Sequence, residues 1–208
     1  VERERFSLEY QHAPEEMFYD RLTVRFYRQD ADTHNRNEQT RSNTSATCSG
    51  VAAGANTCFL EQDFFLSQTN EGMGVQLESV FQAIGAEHLL SYGVDLQRQK
   101  VINFRDATRY NLTLNTVSKN IAGDVHPMRD FANGDTRTIG VYVQDDLRFS
   151  GLPSWTFVPG VRFDSTHLTP EVDALAQAVL TANGKQAVEQ KHSGVSPKLG
   201  VQWKIGEV

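Results

Sequence analysis

Apolar and polar side chains alternate with a period of two in seven stretches of this chain, the pattern of strands whose two faces meet different surroundings. The stretches run roughly over 1–10, 20–31, 59–82, 88–101, 136–149, 154–167 and 192–205. In the second, Leu22, Val24 and Phe26 oppose Thr23, Arg25 and Tyr27; in the fifth, Ile139, Val141 and Val143 oppose Gly140, Tyr142 and Gln144. The sixth sets Trp155, Phe157, Val161 and Phe163 against Thr156, Gly160, Arg162 and Asp164. Pro159 lies inside that sixth strand, where it removes one ladder hydrogen bond.

The connections alternate between short and long. A segment around HAPEEMFY is short, the next loop is long and carries both cysteines, and AIGAE makes a tight turn. A long loop over about 102–135 follows, then the tight SGLP, then a long loop over about 168–191. An outer-membrane barrel requires this parity, because every second connection faces the periplasm and stays short while the others face outward and grow. The fold class is therefore all-β, a partial antiparallel transmembrane β-barrel with short periplasmic turns and long extracellular loops. Parity also makes 59–82 one long strand, with Gly72 and Gly74 as interior glycines or a bulge. Tyr10, Phe81, Phe149, Trp155 and Trp203 all fall beside short turns, as an aromatic girdle at one membrane interface would.

Composition removes competing classes. At 39% hydrophobic and 22% charged residues, the 208-residue chain has no apolar run of about 18 residues that would make a transmembrane helix. A mean hydropathy of -0.46 suits a barrel with one polar face. The net charge of -6, with no basic block, argues against a nucleic-acid partner. The opening VERERFSLEY enters a strand directly without an initiator Met or signal peptide, so the chain is expected to be a piece of a longer protein.

No enzyme motif is present: GxSxG, HExxH, P-loop and GxGxxG with strand and helix context are all missing. Asp145 and Asp146 are adjacent, so in a strand they point to opposite faces and cannot act together on one substrate. Cys48 and Cys58 lie in a Ser, Thr, Gly and Ala-rich segment without a CxxC pair or His cluster, so no metal site is expected. A loop disulfide in an oxidising compartment is the expected reading, with two free thiols as the alternative. A soluble secreted β-sandwich with long binding loops would also alternate and carry a disulfide, but it has no reason to keep the loop parity.

Several segments resemble TonB-dependent outer-membrane receptors, closest to the haem and hemoglobin receptor branch. The unit TIGVYVQDDLRFSGLPSWTFVPGVRFD resembles that family's "YVQD" and "PGxRxD" strands, and HSGVSPKLGVQWKI its "SPKLG" strand. HLLSYGVDLQRQK resembles "HxLxYGxD", and DRLTVRFYRQD the strand before it. The resemblance covers nearly the whole chain. It implies a barrel of about 22 strands, of which seven would be roughly a third, closed by an N-terminal plug. It implies coupling to an inner-membrane energy complex through TonB, outer-membrane lipid around the wall, and haem or a hemoprotein as transported ligand rather than a cofactor. A ferric siderophore is the alternative ligand. The plug and the family's "FRAP" and "NPNL" elements are expected to lie outside residues 1–208, so the usual axial haem ligands carry over to no residue here.

Haem iron is held by His or Tyr, and the long loops offer His34, Tyr110, His126 and His167. Tyr110 and His126 share the loop over 102–135, which ranks first for ligand contact, with Arg109 beside them. His12 and His88 fall on the periplasmic side and are expected to meet no external ligand.

Overall fold

A computed structural model describes residues 1–15, 17–42 and 57–205. Its principal sheet holds β1 (Glu2–His12), β2 (Arg21–Ser42), β3 (Thr57–Ala83), β4 (Ala86–Asn111), β8 (Asn133–Phe149), β9 (Trp155–Glu171) and β10 (Gln190–Trp203). These pair in that order, each antiparallel to the next. Between β4 and β8 lie the short β5 (Thr116–Ser118), which pairs with the end of β4, and a small hairpin of β6 (Asn120–Ile121) and β7 (Asp124–Val125). One helix, α1 (Ala174–Ala182), follows β9.

All seven alternating stretches are strands, and the short and long connections fall at opposite ends of the sheet. Phe59 to Gln82 lies within the single strand β3, whose register with β2 and β4 runs without a bulge through Gly72 and Gly74. The strands differ from expectation at their outer ends. β2 continues to Ser42 and β4 to Asn111, so the loop expected over 102–135 shrinks to 112–132. Beyond the bilayer both faces of a strand meet water, so alternation fades while neighbouring strands still supply each other's backbone hydrogen bonds.

The helix was not marked by alternation, since it lies within a loop. Its start is nonetheless local: the Asp173 carboxylate caps it by accepting from the Ala176 amide at 2.9 Å. Cys58 is buried and disulfide-bonded; Cys48 lies outside the described residues.

Register places the two faces. On the outer face one row across the sheet reads Val24, Val75, Val94, Val141, Phe163 and Val195. On β3 and β4 the apolar band runs from the Ala83–Ala86 pair to the Met73–Leu96 pair. Ten residue steps of about 3.3 Å, on strands tilted by about 40°, give about 25 Å of height, the thickness of a barrel's apolar band. His88 and Asp145 interrupt this face, but they are joined to each other at 2.7 Å and the imidazole is covered by the stacked Phe81 ring. Asp146 instead accepts from Gln144 on the opposite face, as adjacent strand residues must.

At the short-turn end Trp155 and Trp203 pair across β9 and β10 and stack with ring centres 5.4 Å apart. Pro159 pairs with Leu199 of β10, while the ladder to β8 is broken between Gln144–Gly160 and Leu147–Phe157. The missing proline N–H accounts for the gap.

Candidate functional site

The inner face is built from the segments that carry the sequence motifs, and the register brings them side by side. Asp95 comes from the "YGxD" strand, Tyr142 and Gln144 from "YVQD", Arg162 and Asp164 from "PGxRxD", and Lys198 from "SPKLG". Arg162 donates to Asp95 at 2.8 Å and to Asp164 at 2.9 Å, and its guanidinium lies 5.7 Å from the Tyr142 ring centre. Tyr142 donates to Gln76 at 3.2 Å, and Lys198 to Gln144 at 2.8 Å. Even the "YVQD" Asp145 on the outer face meets the "HxLxYGxD" His88. Motifs separated by up to about a hundred residues thus meet in side-chain contacts across five strands, in a cluster around Arg162 and a separate Lys198–Gln144 pair.

Glycines make room for it. At Gly93 an added Cβ would sit 2.8 Å from the Tyr142 hydroxyl, and at Gly140 it would run into the Arg162 guanidinium and stand 2.7 Å from the Asp164 carboxylate. The long side chains lie flat over these positions, lining a groove of about 370 Å³. Gly140→Val is expected to cost about 1–3 kcal/mol by forcing Arg162 off Asp95. The check is a double-mutant cycle in urea unfolding of the full-length protein: the penalty should shrink when Arg162 is already alanine.

The mouth is capped by the loop over 112–132. Ile121 packs on Leu60 and Ala107, inner-face residues of β3 and β4, so the loop folds over the lumen side. Asn103 holds it: its side chain donates to the Phe131 carbonyl at 2.8 Å and accepts from the Asp130 amide at 2.9 Å. Arg105 reaches Asp124 at 2.9 Å and Asp130 at 3.3 Å, and Lys119 reaches Asp106 at 2.7 Å. Arg129 joins the loop to the helix cap Asp173 at 2.7 Å.

The candidate ligand residues are placed as follows. Arg109 and Tyr110 lie on β4 rather than in a loop, a correction that follows from the extended β3–β4 pairing. As neighbours on a strand they face opposite ways. Arg109 shares the inner face with Ala107 and Arg105, whereas the Tyr110 hydroxyl donates to Glu61 at 3.1 Å on the outer face. That hydrogen bond, with the nearby Glu61 charge, raises the Tyr110 phenol above its ordinary value. His126 belongs to the folded loop, is buried, and has an Nδ1 without a hydrogen-bond partner. It is not joined to Tyr110 as a pair.

His34 lies on β2, not in a loop, bonded to Asp63 at 2.7 Å and stacked on Phe65. His167 approaches Glu189 at 3.4 Å, and His12 lies 3.1 Å from the Tyr19 hydroxyl near a short turn. Among the described residues no group of three His, Cys, Asp or Glu side chains could hold a metal ion.

Burial, reinforced by the Arg105 charge, lowers the His126 pKa below 6.5. The unfolded loop therefore binds more protons than the folded one just below that pH, and the contribution of a neutral His126 is lost as pH falls. Hydrogen exchange of amides 120–131 is expected to accelerate on going from pH 7.5 to 5.5, after correction for intrinsic rates, and His126→Gln should remove the extra acceleration.

An antiparallel wall with an apolar outer band, a polar inner face, short turns at one rim and folded loops at the other defines a transmembrane β-barrel protein. A family model described as TonB dependent receptor-like, beta-barrel, matches residues 1–207, and the chain belongs to that family. Its place is the bacterial outer membrane, and the family is one of membrane barrels, not enzymes. Among solved structures the chain is similar to the crystal structure of ferric citrate transporter FecA in the unliganded form, at 15% identity and a TM-score of 0.49. That match covers 91% of this chain and 26% of the other, so the chain spans about a quarter of that protein. No curated protein sequence matches.

Proposed function

We propose that residues 1–208 are wall of the barrel domain of a receptor that takes up haem or hemoprotein-derived iron, with energy delivered through TonB to a plug outside this segment. The observation that carries the ligand reading is His126, a buried neutral imidazole with a free ring nitrogen, in a loop folded over the mouth. Neutral imidazole is a haem-iron ligand. Arg109, on the inner face beneath the same loop, supplies a guanidinium suited to a propionate carboxylate. Tyr110 faces away, and its hydroxyl is engaged by Glu61, so it would contact a hemoprotein docked on the outside of the rim rather than the iron. A ferric siderophore is the second reading, favoured by the hydroxyl, amide and guanidinium lining of the inner groove.

The test is ligand titration of the full-length receptor in detergent with haem, hemoglobin and a ferric siderophore, followed through the haem absorption band. Saturable haem binding, weakened about tenfold (about 1.4 kcal/mol) by His126→Ala, is expected. Binding of the siderophore alone would overturn the haem reading and leave the barrel standing.

A further inference from the structure

The loop over 112–132 and the segment that carries α1 meet at the mouth, and a crevice of about 430 Å³ lies between them. One wall is the helix, whose Ala176, Val179 and Leu180 recur at the three- and four-residue spacing of a single helical face. Phe131 of the loop, Leu168 of β9 and Val188 after the helix complete the apolar lining. Leu168 stands opposite Thr136 on the inner face, so the crevice lies on the lumen side of the wall.

Its two sides are pinned to each other. Arg129 donates to Asp173 at 2.7 Å, and Asp173 in turn caps α1 through the Ala176 amide. The apolar surface they hold apart is wet: Phe131 is 52% and Val188 62% exposed. A preformed concavity of this size, apolar with a few polar groups, has the form of a small-molecule site.

Charge decides what kind of molecule it takes. Of the three charged residues in the lining, Arg129 is committed to Asp173, and Asp130 meets Arg105 at 3.3 Å. Lys185 remains, exposed, and among the described residues its ammonium meets no carboxylate. An occupant that complements the crevice is therefore apolar over most of its surface and anionic at one edge.

We propose that the crevice receives the ring of a carboxylated tetrapyrrole, its apolar face on Phe131, Leu180 and Val188 and one carboxylate against Lys185. This rests on the haem reading and adds that the receptor grips the macrocycle itself, leaving the iron to His126 of the same loop as Phe131.

Metal-free protoporphyrin IX separates the ring from the iron. Titrated into the full-length receptor in detergent, against a blank of empty micelles, it is expected to bind saturably. Leu180→Asp should weaken that binding about tenfold and Lys185→Glu about fivefold, whereas His126→Ala should change it by less than about twofold. Haem binding that depends on His126, with porphyrin binding absent or untouched by both crevice variants, would overturn the crevice and leave the haem reading in place. Binding of neither haem nor porphyrin would overturn both. Lys185→Glu alters an exposed side chain and decides alone should Leu180→Asp fail to fold, as judged by heat-modifiable gel mobility.

Discussion

Arginine in place of Val143 is expected to destabilise the full-length barrel by about 2–4 kcal/mol, the cost of a cation on the lipid face near mid-bilayer. Val143 lies in the outer row of Leu22, Leu77, Tyr92 and Val161, with apolar rows toward the short turns and two more, those of Val94 and Leu96, toward the mouth. Its position is too deep for the new side chain to reach water easily from either rim. The comparison is Gln202→Arg, on the inner face opposite Thr156, which should change stability by less than about 0.5 kcal/mol. Reversible urea unfolding of both variants in lipid vesicles measures the difference. Equal penalties would mean that both faces are wet, and the outer band would then not be a membrane surface.

The second large effect is expected at Asn103, which no motif marked. Asn103→Ala removes the partner of both the Phe131 carbonyl and the Asp130 amide. Both bonds are part-buried, so losing each costs about 0.5–1.5 kcal/mol, and protection of amides 120–131 against hydrogen exchange should fall about five- to hundredfold. The Asn103 amide also donates to the Asn133 side chain at 3.1 Å, a bond that alanine retains because it belongs to the backbone. The effect should therefore be confined to the loop, with the exchange of β3 and β8 unchanged. Loss of protection through the whole sheet would instead make Asn103 part of the barrel's own stability.

The proposed ligand site depends on that loop. If His126 is positioned by the Asn103 anchor, Asn103→Ala should weaken haem binding without touching the imidazole. His126→Ala should weaken it while leaving exchange at Asp130 and Phe131 nearly unchanged. Together these outcomes separate a residue that meets ligand from one that holds the loop.

The sequence alone determined the strand order, the two faces and the end at which the loops gather. Those features are written in a period of two and in the parity of connection lengths, both of which the bilayer imposes locally on every strand. Leu22, Val24 and Phe26 needed no partner to be read as outward-facing, and Trp155 and Trp203 marked the girdle by lying next to short turns. Three kinds of feature waited on the tertiary structure. The outer ends of β2 and β4 were hidden because water bathes both faces there and polar residues occupy both. Tyr110 moved to the outer face and away from His126 because its orientation depends on how far the β3–β4 ladder continues, which a loop assignment could not count. Finally, the joining of Asp95, Tyr142 and Arg162, and of Lys198 with Gln144, was settled by register: side chains far apart in sequence meet only when antiparallel strands fix which residues stand opposite, and the backbone hydrogen bonds that do so carry no side-chain signature.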